Sequence, residues 1–214
     1  MPPLIPEELE LYCEAHTTNE SELLYRLNRE TNIKILRPRM LSGQLQGKFL
    51  SMISKMIKPV NILEIGTYTG YSALCLVEGL QKNGALHTIE IEAELEEIIN
   101  KYFNRSTHKD KLHLHIGNAL EIIQTLNKSW DLVFLDAEKT EYLQYYEMVL
   151  PSVRKGGFIL ADNMLWNGKV SKPIAENDLE TKAVMVFNNF VQSDPRVENL
   201  LLPVRDGVML IEKL

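Results

Sequence analysis

From about residue 60 onward, short apolar runs alternate with stretches in which apolar residues recur every three or four positions. The runs predict strands at Asn61–Ile65, Ala85–Glu90, Leu112–Ile116, Asp131–Leu135 and Phe158–Ala161. The stretches between and after them predict helices at Tyr71–Leu80, Ala93–Phe103, Ala119–Leu126, Glu141–Leu150 and Leu179–Gln192. Around Leu63, Phe134 and Leu160 the runs are apolar at consecutive positions, which suits central parallel strands covered on both faces. Lys111-Leu-His-Leu-His-Ile116 alternates instead and is expected near a sheet edge. The chain then places two apolar runs, within Leu200–Ile211, on either side of Asp206-Gly207, a strong hairpin signal. The sum is an α/β fold with a mixed seven-stranded sheet, parallel at first and closed by a C-terminal antiparallel hairpin.

The first 40 or so residues carry no strand pattern. Pro6 opens a short helix over Glu8–Ala15. Asn19-Glu20-Ser21-Glu22 caps a second, with Leu23, Leu24 and Leu27 on one face, and Gly43–Ile57 forms a third that ends before Pro59. With no repeat and no low-complexity linker, residues 1–214 read as one domain, of which 1–42 form an appended helical cover.

Composition narrows the classes. A hydrophobic share of 45% and a charged share of 24% are ordinary for a globular protein. No apolar run approaches the roughly 18 to 20 residues that span a bilayer, and Met1–Glu8 has no basic region or signal core, so no membrane and a cytoplasmic location are expected. Cys13 and Cys75 lack framework spacing and are expected to be packing residues in a reducing compartment. The net charge of −6 disfavours a broad phosphate-binding face, although Arg26, Arg29, Lys34, Arg37 and Arg39 make the N-terminal segment locally basic.

The chemistry begins at Val60–Ser72, where an apolar strand ends in an acid and a glycine turn before a helix. Dinucleotide folds use G-x-G-x-x-G to seat a pyrophosphate on a helix N-terminus. Here Gly66 and Gly70 are four apart with Tyr68 between them, and Glu64 precedes the turn. A carboxylate there repels a pyrophosphate but suits a ligand with an ammonium and a sulfonium, so the motif points to S-adenosylmethionine. Glu90 ends the next strand, 90 − 70 = 20 residues past Gly70, the usual interval for an acid that accepts from a ribose. Its bland alternative is a helix-flanking acid beside Glu92, Glu94, Glu96 and Glu97. Gly117-Asn118-Ala119 follows the third strand, where a backbone amide can meet the adenine.

A second group follows strands four and five: Asp136-Ala-Glu-Lys139 and Asp162-Asn163. If those strands are neighbours, their ends lie roughly 5 Å apart at the edge where open α/β sheets bind ligands. Two carboxylates and an amide oxygen, without Cys or His, suit Mg²⁺, Ca²⁺ or a similarly hard ion such as Mn²⁺, and leave coordination positions for two substrate oxygens. The alternative is that both aspartates merely cap helices. Lys139 falls near a helix start, where the macrodipole disfavours a cation. It is either solvated or, beside a divalent cation that favours the neutral amine, a general base for a phenolic or enolic hydroxyl. His113 and His115 share a strand face without an evident third ligand. Trp166, just past the acids, is read as a lid aromatic stacking on a flat substrate, against a packing role.

The chain resembles the cation-dependent class I O-methyltransferases, the family of caffeoyl-CoA and catechol O-methyltransferases and their bacterial relatives. The likeness rests on Arg39–Gln44 with Gly47, LEIGTYTGYSAL at 63–74, GNAL at 117–120, DLVFLDAEKTEY at 131–142, GGFILADNMLWNGKV at 156–170 and LPVRDG at 202–207. It implies a Rossmann-like S-adenosylmethionine-dependent methyltransferase fold and a homodimer. It implies metal ligation by Asp136, Asp162 and Asn163, and proton abstraction by Lys139. Cofactor contacts are implied for Leu41, Glu64, Gly66, Thr67, Tyr68, Ser72, Glu90, Ala119, Asp136 and Tyr145, and substrate contacts for Met40 and Trp166. Relatives commonly have Asp where this chain has Glu138, a mild departure. The expected acceptor is a small catechol-like vicinal diol, with 5-hydroxyuridine in transfer RNA as the alternative.

Overall fold

In a computed structural model the described residues are 5–214, so the part of the N-terminal expectation that rests on residues 1–4 lies outside them. The strands are β1 (Asn61–Ile65), β2 (Ala85–Glu90), β3 (Leu112–Ile116), β4 (Trp130–Leu135), β5 (Val153–Asp162), β6 (Val197–Leu202) and β7 (Val208–Lys213). They form one sheet in the order β3-β2-β1-β4-β5-β7-β6. The first five run parallel, and β7 lies antiparallel to both β5 and β6. The alternating His strand is the edge, as its pattern requires.

The helices are α1 (Glu7–Ala15), α2 (Glu22–Lys34), α3 (Gly43–Ile57), α4 (Tyr71–Leu76), α5 (Glu96–Phe103), α6 (Ala119–Thr125), α7 (Tyr142–Val149) and α8 (Leu179–Ser193). Period-two alternation divides the core. Leu63, Val133 and Ile159 meet Tyr146 of α7 and Phe187 of α8 on one face. Ile62, Leu132 and Leu160 meet Leu50 of α3 and Tyr102 of α5 on the other. Both faces of β1 and β4 are therefore covered, which is why their sequences carry no alternation.

Three local departures from the sequence pattern stand out. The helix expected over 71–80 is α only to Leu76 and tightens into a 3-10 turn at Val77–Gly79. There α3 crosses closely: the Ser54 hydroxyl donates to the Leu76 carbonyl at 2.6 Å, and a Cβ on Gly79 would sit 2.2 Å from Ser54 backbone. Strand β5 starts at Val153 rather than Phe158, because Gly156 (φ +68°) belongs to a bulge that shifts the register against β4 instead of ending the strand. The C-terminal hairpin turns through the five residues 203–207, not through a two-residue Asp-Gly turn.

Within the N-terminal segment, α2 is the anchored helix. Ser21 caps it by accepting from Leu24 N, and Leu24 and Leu27 are buried, each contributing roughly 2 kcal/mol of transfer free energy. Glu30 accepts from Lys101 Nζ (2.5 Å) and Tyr102 OH (2.8 Å), and these donors, Lys101 first, hold its carboxyl down at about 2. By contrast, α1 buries no residue, and Cys13 is exposed, which corrects its reading as a packing residue; Cys75 is buried. Among the described residues no helix is long and apolar enough to cross a membrane.

Candidate active site

The carboxyl ends of the parallel strands open into a cleft of about 1980 Å³. At the β1 end, Gly66 (φ +97°) lies so close to β4 that a Cβ would fall 1.9 Å from the Asp136 carbonyl oxygen. Gly70 (φ +90°) opens α4. The turn between them presents Tyr68 N to Glu90 Oε2 at 2.6 Å, while Glu92 N donates to Oε1 at 2.9 Å. Two backbone donors thus aim the Glu90 carboxylate, which burial pushes above the usual carboxylate range. Leu41, Gly66, Tyr68, Glu90, Ala119 and Tyr145 all line the cleft. Thr67 and Ser72 line a narrow recess beside it, shared with Leu41, Gly66 and Asp136.

Glu64 is placed differently from a ligand-facing acid. It is 0% exposed and sits beneath the turn, with Thr88 Oγ1 donating to Oε2 and Oε1 without a hydrogen-bond partner. Burial pushes this carboxyl up to about 8. The acid that the cleft presents beside the turn is therefore Glu90, which suits a ribose and not a pyrophosphate.

At the other end, the β4–β5 register pairs Leu135 with Ala161, so Asp136 and Asp162 leave adjacent strand ends, as expected. Asp162 is buried, and burial, followed by the neighbouring charge of Asp136, raises its pKa. Its Oδ1 accepts from Asn163 N at 2.8 Å, and Asn163 takes a left-handed backbone (φ +64°) that turns the chain at the cleft. Like-charged carboxylates with an amide beside them, free of Cys and His, fit a hard divalent cation.

Lys139 is 6% exposed, which excludes the solvated alternative. It opens a 3-10 turn ahead of α7, and its Nζ lies 3.3 Å from Asp136 Oδ1 and 2.5 Å from Tyr142 OH. The Tyr142 hydroxyl in turn donates to the Leu135 carbonyl at 3.0 Å. Burial keeps this phenol protonated, its pKa well above the ordinary value. The Trp166 ring is 5.9 Å from Lys139 Nζ; it lines the cleft and also packs on the core. Met40 is exposed and also lines the cleft.

The loop carrying Asn163 and Trp166 is braced by the hairpin turn between β6 and β7. Met164 N donates to Gly207 O (2.9 Å), Leu165 N to Asp206 O (2.8 Å) and Asn167 N to Asp206 Oδ1 (2.5 Å). The same turn sends Arg205 to Gln46, and Gln46 to Asp162. Sequence reasoning missed Gln46, Arg205, Tyr142 and Asp206 as individuals. The partners of Gln46, Arg205 and Asp206 are distant along the chain, and Tyr142, although only three residues from Lys139, carries no spacing that marks it.

The His pair gains a third member in His87 of β2, whose Nδ1 lies 3.0 Å from His115 Nε2 and whose ring stacks on His113. Stacked rings do not converge on a point, and among the described residues no group of three His, Cys, Asp or Glu is disposed to hold a metal. Of the basic N-terminal residues, Arg26 pairs with Glu22 and Lys34 with Glu30, while Arg37 and Arg39 line the cleft.

Fold and site together define a class: a Rossmann-like methyltransferase with a glycine turn beside an acid-rich cleft. The sequence profile of the family described as O-methyltransferase matches residues 14–214. A caffeoyl-CoA O-methyltransferase from Eucalyptus globulus is 34% identical over 182 residues, covering 79% of this chain and 73% of that one. The O-methyltransferase from Bacillus cereus, solved with S-adenosylhomocysteine, superposes with a TM-score of 0.90 at 26% identity and 97% coverage of both chains. The O-methyltransferase TomG from Streptomyces achromogenes, solved with S-adenosylmethionine, gives 0.88 at 26% identity and 96% coverage of both. The chain belongs to this O-methyltransferase family, of the caffeoyl-CoA type, and is an S-adenosylmethionine-dependent enzyme.

Proposed function

We propose that the enzyme methylates one hydroxyl of a small vicinal diol, such as a catechol ring, and that it requires a divalent cation held by Asp136, Asp162 and Asn163. The observation that carries this reading is that those three residues and a buried lysine line the cleft at the carboxyl ends of neighbouring strands β4 and β5. When bound, S-adenosylmethionine supplies an electrophilic methyl group, and the cation supplies charge that acidifies a coordinated hydroxyl.

The chain's own residues then do the rest. Glu90, aimed by Tyr68 N and Glu92 N, accepts from the ribose. Lys139, held by Tyr142 OH and Asp136, would take the hydroxyl proton at Nζ as the acceptor oxygen is methylated. Trp166 and Met40 flank a flat acceptor and exclude water. The names of the curated relatives support a catechol-bearing acyl thioester as one such acceptor. Free thiols at Cys13 and Cys75 go with a reducing, cytoplasmic setting, and a homodimer is part of the same reading, tested by light scattering.

The deciding experiment incubates the protein with labelled cofactor, Mg²⁺, a catechol panel and undermodified transfer RNA. Methylated catechols are expected, and chelation should abolish turnover while cofactor binding persists. Full activity in excess chelator would overturn the cation. Labelled transfer RNA with unlabelled catechols would overturn the acceptor.

A further inference from the structure

Asp162 is gripped from a part of the chain that the reaction does not otherwise use. Its Oδ1 accepts from Asn163 N (2.8 Å) and its Oδ2 from Gln46 Nε2 (2.6 Å), so the carboxylate cannot turn about its Cβ–Cγ bond without losing one of them. Each oxygen keeps a second lone pair. Gln46 sits on α3, is 1% exposed, and lies 116 residues from its partner. Both amide atoms of Gln46 are engaged, because its Oε1 accepts from Arg205 at 2.7 Å.

Arg205 and Asp162 together fix which way that amide faces. A guanidinium can only donate, so the atom of Gln46 that meets it must be the carbonyl oxygen, and the amide NH₂ is thereby turned toward Asp162. Without Arg205 only the Asp162 contact would hold the amide, and the Gln46 oxygen would lose its partner. Arg205 is itself committed: the same nitrogen donates to the Leu41 (3.2 Å) and Ser42 carbonyls, and its backbone holds a left-handed φ of +49° in the hairpin turn.

We propose that Arg205 and Gln46 form a positioning relay, in which Arg205 fixes the Gln46 amide and Gln46 fixes the Asp162 carboxylate in the rotamer that receives the cation. The proposal rests on the metal reading given above. Neither residue touches the reacting atoms. Groups that orient a metal ligand from behind typically change affinity by about 10- to 100-fold when removed.

The test measures Mn²⁺ binding to the full-length protein by the electron paramagnetic resonance of free Mn²⁺, with no substrate present. Wild type should bind; if it does not, the metal reading falls and the relay with it. Given wild-type binding, Gln46→Leu should weaken Mn²⁺ affinity about 10- to 100-fold, while S-adenosylhomocysteine affinity measured in chelator moves less than about twofold. Arg205→Lys should weaken Mn²⁺ by a smaller factor, since a lysine keeps a charge but cannot reach all three acceptors. Arg205→Lys placed on Gln46→Leu should add nothing, because its effect passes through the amide. Unaltered Mn²⁺ affinity in Gln46→Leu, or independent additive losses in the double variant, would overturn the relay. If Gln46→Leu does not fold, Gln46→Asn and Arg205→Lys complete the same cycle.

Discussion

The two halves of the cleft are built in opposite ways. At β1 and β2, local backbone does the work: a glycine turn places Tyr68 N on Glu90, and Glu92 N comes from the same strand exit. At β4 and β5, side chains from remote segments do it: Gln46 and Arg205 reach Asp162, and the 203–207 turn braces the loop after it. A cofactor shared by many enzymes can be held by short-range backbone geometry. A reaction centre needs groups fixed to fractions of an ångström, and long-range contacts supply that precision.

The contrast predicts that damage to one half leaves the other intact. The largest effect is expected for Lys139→Ala, with kcat lowered by about 10²- to 10⁴-fold while S-adenosylhomocysteine binds nearly as before. Raising the pH should restore part of the rate as hydroxide takes over the proton; near-normal kcat at neutral pH would leave Lys139 without a role in proton transfer. Next, Asp162→Ala should raise the Mg²⁺ needed for half-maximal rate by about 10- to 100-fold, with recovery at high Mg²⁺. No recovery would mean that the substitution harms more than the ion site. On the cofactor side, Glu90→Ala should weaken S-adenosylhomocysteine by about tenfold in calorimetry, the worth of a charged hydrogen bond, without changing the metal requirement.

The smallest effect concerns Glu64 and is read in stability. Its folded carboxyl titrates at about 8 against an unfolded value of 4.5, so the folded state holds the proton more tightly. Its contribution is then complete below pH 4.5 and is lost as pH rises through 8. Glu64→Gln, which needs no proton, should melt higher than the ligand-free wild type by at least roughly 2 to 4 °C at pH 8, and the gap should close toward pH 5. A gap independent of pH would place the titration elsewhere.

The same contrast decides what the sequence could reveal. Gly66 and Gly70, the acid at Glu90 and the pair at Asp136 and Asp162 were legible because strand ends and turn spacing are local facts. The layered sheet followed from consecutive apolar runs, and the His strand was an edge because it alternates. Gln46 was not legible: on α3 it looks like any polar helix position, and only the fold shows that it points inward at Asp162. Tyr142 likewise reads as an aromatic on a helix until its hydroxyl is found beside Lys139. The expected helix over 71–80 erred because nothing in 71–80 records how closely α3 passes Gly79.

The place of β7 has a consequence for the timing of synthesis. It lies between β5 and β6 although it is made after both. While the chain emerges from the ribosome, β1, β2, β3 and β4 can pair as they appear, and the glycine turn can form with them. Strand β5 must wait with one edge bare until Val208–Lys213 arrives, and Arg205 arrives only just before. The nascent protein would thus acquire its glycine turn early and the Asp162 end of the cleft last, and an interrupted translation product ending before Val208 would carry an open strand edge beside Asp162.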